Sequence, residues 1–184
     1  MAACPGVPVE ASDGSRMSLF ALFQIGCLVA LALLLLVAAW QDLRTMRIAD
    51  SLSMAIVVVF AVWALSGLAL GTLSLSTIGL AVVCSVVLFG AGAAAFAVGA
   101  FGGGDVKLLA AASLFAGPAL ISDFLMVTAL AGGALGIAIL VGAPIGPDVP
   151  AADATVRSRL RGGLPYGPAI AAGGLWVAGL LVVR

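Results

Sequence analysis

The sequence predicts an all-helical, polytopic membrane protein of about six transmembrane helices, the number its long apolar runs allow. Two observations carry this, and a third bounds the chemistry. Of 184 residues, 64% are hydrophobic and only 9% charged, with a mean hydropathy of +1.30, so polar surface is too scarce to clothe a soluble globule. Apolar stretches recur along the chain, each bounded by short islands of glycine, proline or charge. Histidine is absent, which removes the commonest general base and most zinc and iron sites.

Residues 1–16 are mixed and polar and are expected to be a disordered tail, leaving 17–184 as one membrane domain. Met17 to Trp40 is the first expected span, followed by a polar link holding Asp42, Arg44, Arg47 and Asp50. Leu52 to Leu70 is the second. Thr77 to Val98 is the third, rich in small residues that let helices approach closely. Val106 to Ile121 is a short fourth run interrupted by Gly117-Pro118, and Ser122-Asp123 is expected to turn the chain into a fifth span, Phe124 to Val141. Within it Gly132 and Gly136 form a GxxxG packing pair. After a loop carrying Arg157, Arg159 and Arg161, Tyr166 to Val183 is the sixth.

Basic residues set the expected orientation. The links after spans one, three and five carry Arg44, Arg47, Lys107, Arg157, Arg159 and Arg161, whereas the opposite side holds only Arg16 and Arg184. The positive-inside rule then places those links in the cytoplasm and the N-terminus outside. Net charge is zero and no long basic run occurs, so nucleic acid is not an expected partner. The three cysteines are far apart and form no CxxC pair, so neither a disulfide framework nor a metal site is expected.

Two carboxylates stand out. Asp105 lies in Gly102-Gly103-Gly104-Asp105-Val106-Lys107, an island between apolar runs, and Asp42 follows the first run. A carboxylate is costly there and is a functional candidate by default. Two such groups held close together retain one proton between them, so one can take a proton from water while the other donates to a carbonyl. The glycines would let an extended substrate strand approach the backbone. A plainer reading, a flexible turn with a capping Asp105 and a loop residue Asp42, stays open on residue chemistry alone.

The island resembles the GxGD motif of the bacterial prepilin peptidases, with its following hydrophobic residue and lysine, and Asp42-Leu43-Arg44 is similar to that family's first aspartate. Pro165-Tyr166-Gly167, continuing through Ala169, Ile170, Ala171 and Gly173, resembles a signature of the small members that serve tight-adherence (Flp-type) pili. The resemblance implies an aspartic endopeptidase of the bacterial inner membrane that removes the leaders of type IV prepilins and pseudopilins at the cytoplasmic face. It implies Asp42 and Asp105 as the catalytic pair; Gly102, Gly103, Gly104, Lys107, Pro165, Tyr166 and Gly167 are the motif and substrate-positioning candidates, with Lys107 equally open to a plain role at the cytoplasmic interface. Larger members also methylate the new N-terminus and bind zinc through paired CxxC motifs; neither is expected here, and no cofactor. Implied partners are prepilins, pilus-assembly membrane proteins and the lipid bilayer.

The chain departs from the family pattern at Ile48-Ala49-Asp50, where Ile-Pro-Asn is usual; Asp50 is expected to cap the second span. Alternatives are a small proton-coupled transporter or channel subunit, which would want carboxylates near mid-span, and a presenilin-like intramembrane protease. A tyrosine before the first aspartate would mark the latter. Gln41 stands there instead, and Pro118-Ala119-Leu120 falls in the same run as Asp105.

Overall fold

A computed structural model describes residues 10–141 and 165–183, with side chains from residue 22 onward. The described residues are all-helical. By length and composition four helical runs could cross a membrane: Leu22–Thr45, Asp50–Ala69, Leu75–Ala97 and Gly103–Val141; Gly167–Val183 is apolar but shorter. Helix α1 as a whole is Glu10–Thr45, so of the expected tail residues 1–9 lie outside the described residues. Arg157, Arg159, Arg161 and Arg184 lie outside them too.

α2 (Asp50–Ala69) and α3 (Leu75–Ala97) end alike. Gly71 (φ 70°) and Gly99 (φ 76°) take the left-handed conformation. The next amides, Thr72 N–H and Ala100 N–H, then reach back to the carbonyls of Gly67 and Ala95 at 2.9 Å each. This pattern satisfies terminal carbonyls that lipid could not. Ser74 begins α3 by accepting the Thr77 N–H at 3.2 Å.

The run Gly103–Val141 is two helices. Gly117 has φ 52° and ψ −168°, and Pro118 has no N–H to continue the ladder. We number the halves α4 (103–116) and α5 (118–141), and Gly167–Val183 is α6. A continuous helix would hold Gly103 and Gly132 roughly 43 Å apart. Yet Gly132 lies against the ring of Tyr166, and Phe101, two residues before Gly103, stacks on that same ring. The chain therefore folds back at Gly117 as a helical hairpin. The expected turn at Ser122-Asp123 is corrected: both residues are helical, because the break falls where glycine takes positive φ and proline interrupts the bonding. α4, 14 residues from 103 to 116, is about 21 Å long, short of a hydrocarbon core of about 30 Å.

Packing follows small residues. Gly92 of α3 meets Val106, Gly173 of α6 meets Thr128 and Phe124, and Gly174 meets Leu35. Lipid tails are as apolar as leucine, so close approach rather than expulsion from water holds such helices together. Ser85 Oγ of α3 donates to the Ala110 carbonyl at 2.7 Å. At the opposite end from Asp105, Phe60, Trp63 and Phe115 form an aromatic cluster with centroid separations of 5.3 to 6.1 Å.

Candidate active site

Asp42 closes a stripe along α1. Leu28, Leu31, Leu35, Ala38 and Asp42 follow one another at three- and four-residue spacing and all are buried. That spacing keeps one face of a helix turned toward its neighbours. Asp105, Leu108, Ala112 and Phe115 repeat the spacing on α4, and all four are buried. Each apolar stripe thus carries a carboxylate inward at the same end of the bundle. Asp42 is 4% exposed and Asp105 8%, and the two are close enough to act on each other electrostatically.

Backbone amides hold each carboxylate. The Gly167 N–H donates to Asp42 Oδ2 at 2.7 Å, joining α6 to α1. A side chain at position 167 is excluded, because its Cβ would lie 2.7 Å from Asp42 Cβ. The Gly102 N–H faces the Asp105 carboxylate from just before α4. An acidic side chain three residues into a helix reaches back to the amide before it, as in half of a capping box. A Cβ at Gly102 would meet Asp105 Oδ2 at 2.7 Å. Both glycines bring backbone where a side chain would block a carboxylate.

The other expected residues divide. Tyr166 stacks on Phe101 with centroids 4.6 Å apart and an 18° interplanar angle, so the stretch 165–167 and the glycine island form one wall. Pro165 is buried beside it. Gly104 lets the link from α1 to α2 pass, since its Cβ would meet Ile48 Cβ at 3.1 Å; Gly103 faces Phe96. Lys107 stands apart from the two carboxylates. Its Nζ pairs with Asp50 Oδ2 at 2.7 Å on a half-exposed surface. The expectation that Asp50 caps α2 is corrected: Ala49 is the capping residue, no side chain bonds there, and Asp50 lies in the first turn. In that position it favours the helix dipole and reaches Lys107.

Gln41, Thr45, Met46 and Phe101 escape a reading by motif. Gln41 Oε1 accepts the Ala49 N–H at 3.1 Å, and Thr45 Oγ1 donates to the Gln41 carbonyl at 2.8 Å, so the link to α2 is tied back onto α1. Met46 there has φ 49° and donates its N–H to the Asp42 carbonyl at 2.8 Å, a tight stop that a non-glycine residue adopts at some cost. Phe101 had only its place beside the glycines as a signal. Pro118-Ala119-Leu120 sits at the hairpin turn, the full length of α4 away from Asp105. No group of three or more metal-binding side chains occurs among the described residues.

Chemically, the end of the bundle offers two buried carboxylates, each steadied by one amide and flanked by an aromatic pair. Such a pair shares a proton and can act as base and acid together.

A model of the type IV leader peptidase family matches residues 29–137, more than half of the chain and a stretch containing both aspartates. No curated protein and no solved structure matches it.

Proposed function

Because the chain belongs to the type IV leader peptidase family, we propose that it is an aspartic endopeptidase that removes the leaders of Flp-type prepilins and pseudopilins, with Asp42 and Asp105 as its catalytic residues. The observation that carries this is the burial of two interacting carboxylates, from α1 and α4, at one end of the bundle. The ionised member takes a proton from water as the water oxygen attacks the scissile carbonyl carbon. The protonated member donates to the carbonyl oxygen. Collapse of the tetrahedral species passes a proton to the leaving amine and returns the pair to its single-proton state. Gly167 and Gly102 position the carboxylates through their N–H groups, and Tyr166 with Pro165 and Phe101 walls the site.

In this reading the protein spans a bacterial inner membrane six times with its N-terminus outside, and the active end faces the cytoplasm. Support comes from Arg44, Arg47 and Lys107, which all lie at the end that holds Asp42 and Asp105. Lys107 then has two uses, pinning α4 to α2 through Asp50 and marking that face. Prepilins are the substrates, and pilus-assembly proteins are neighbours in the membrane.

The test is to incubate the purified protein in lipid nanodiscs with a prepilin and weigh the products. A single cut just before the apolar segment of the substrate is expected. A cut inside that segment would favour an intramembrane protease of the presenilin kind. An intact substrate together with proton flux in vesicles would favour a transporter.

A further inference from the structure

The face of α4 turned away from Asp105 opens onto a groove. Lys107, Ala110 and Ala111 lie roughly 200°, 140° and 240° round the helix from Asp105, at 3.6 residues per turn. α2 and α3 hardly touch along their length, and between them, floored by α4, runs a groove of about 360 Å³. We propose that this groove binds a glycerophospholipid whose headgroup carries both a phosphate and a primary ammonium.

Chemical groups follow one another along the groove in the order they take in such a lipid. At the mouth stand Lys107 and Asp50, paired at 2.7 Å with side chains 46% and 69% exposed. A headgroup phosphate beside Lys107 and its ammonium beside Asp50 would turn one ion pair into a closed set of four charges. Three residues further along α2, about 4.5 Å deeper, Ser53 lines the groove. It is 6% exposed, and its hydroxyl has no hydrogen-bond partner. A buried hydroxyl wants an acceptor, and rotation about χ1 offers the proton to an ester carbonyl at that depth. Beyond it the lining is apolar, with Val57 and Phe89 on the walls and Ala110 on the floor. The Ala110 carbonyl already accepts from Ser85 and Ser113, so the deep end asks for nothing polar. An acyl chain suits it. A helix laid in the groove would bring its backbone already bonded and leave the Ser53 hydroxyl unmet.

This site does not depend on the peptidase reading, only on the chain lying in a bilayer. The test is native mass spectrometry of the purified full chain after equilibration with equal amounts of phosphatidylethanolamine, phosphatidylcholine and phosphatidylglycerol. These share the phosphate, but the first carries a primary ammonium, the second a quaternary ammonium and the third no cation. One bound phosphatidylethanolamine is expected, retained roughly tenfold over the other two, the size of one charge-assisted contact. Lys107→Gln and Ser53→Ala should each lower that retention, and Asp50→Asn should bring phosphatidylethanolamine down to the phosphatidylcholine level, with thermal unfolding confirming that each variant is folded. Equal retention of the three lipids, preference for phosphatidylglycerol, or indifference to all three variants would overturn the proposal. So would a lipid-free dimer, which would give the groove to a second copy.

Discussion

The two faces of α4 contrast. On one, Asp105 is buried, faced by the Gly102 amide and within electrostatic reach of Asp42, and glycines bring backbone up to both carboxylates with no room to spare. On the other, Lys107 and Asp50 meet at the surface and a groove runs beneath them. The same helix therefore carries one ionisable group in a buried setting and another in an exposed one. Substitutions on the first face should disturb chemistry, because a misplacement of about 1 Å can cost on the order of 100-fold in rate. Those on the second should disturb little, because exposed ion pairs contribute roughly 0.2–1 kcal/mol.

Gly167→Ala should be the most damaging substitution outside the aspartates. Its Cβ would fall 2.7 Å from Asp42 Cβ and 2.8 Å from Oδ2, so α6 must move and the N–H contact is lost. Leader cleavage should drop on the order of 100-fold while circular dichroism stays helical. Wild-type rates would show that Asp42 does not need that amide.

Gly104→Ala should cost less, about tenfold, since its Cβ would press on Ile48 at 3.1 Å in a link that can give. Rates in the same cleavage assay should fall in the order wild type, Gly104→Ala, Gly167→Ala.

The aromatic wall can be divided by two variants. Tyr166→Phe keeps the stack on Phe101 and should unfold at the wild-type temperature, whereas Tyr166→Ala should destabilise by about 1 kcal/mol beyond lost area. Equal melting temperatures would deny the stack any role. Lys107→Ala should have the smallest effect of the set, below about 1 kcal/mol, with cleavage retained. A collapse of activity there would erase the difference between the faces.

Much of this arrangement is legible from residue order. Apolar runs with charge at their ends announce the helices, and the recurrence of Leu28, Leu31, Leu35 and Ala38 aims Asp42 inward. The hairpin is harder. Ser122-Asp123 is the more polar pair, but polarity does not stop a helix, and Gly117-Pro118 does. Asp50 invites a capping role by its type, yet capping depends on a single position and Ala49 occupies it. Its partner Lys107 is 57 residues away, a pairing that only the packing of α2 on α4 creates. Phe101 and Gln41 act through a stack and a loop contact to distant segments, and neither leaves a pattern in the chain.

The most direct test of the central claim is leader removal from a co-expressed prepilin by wild type, Asp42→Asn, Asp105→Asn and Asp50→Asn, each shown to be inserted in the membrane. The account predicts that the first two variants lose at least about 100-fold, the usual worth of a positioned acid or base, and that Asp50→Asn cuts at close to the wild-type rate. Cleavage that survived Asp42→Asn but vanished with Asp50→Asn would contradict it, moving the chemistry to the exposed face of α4.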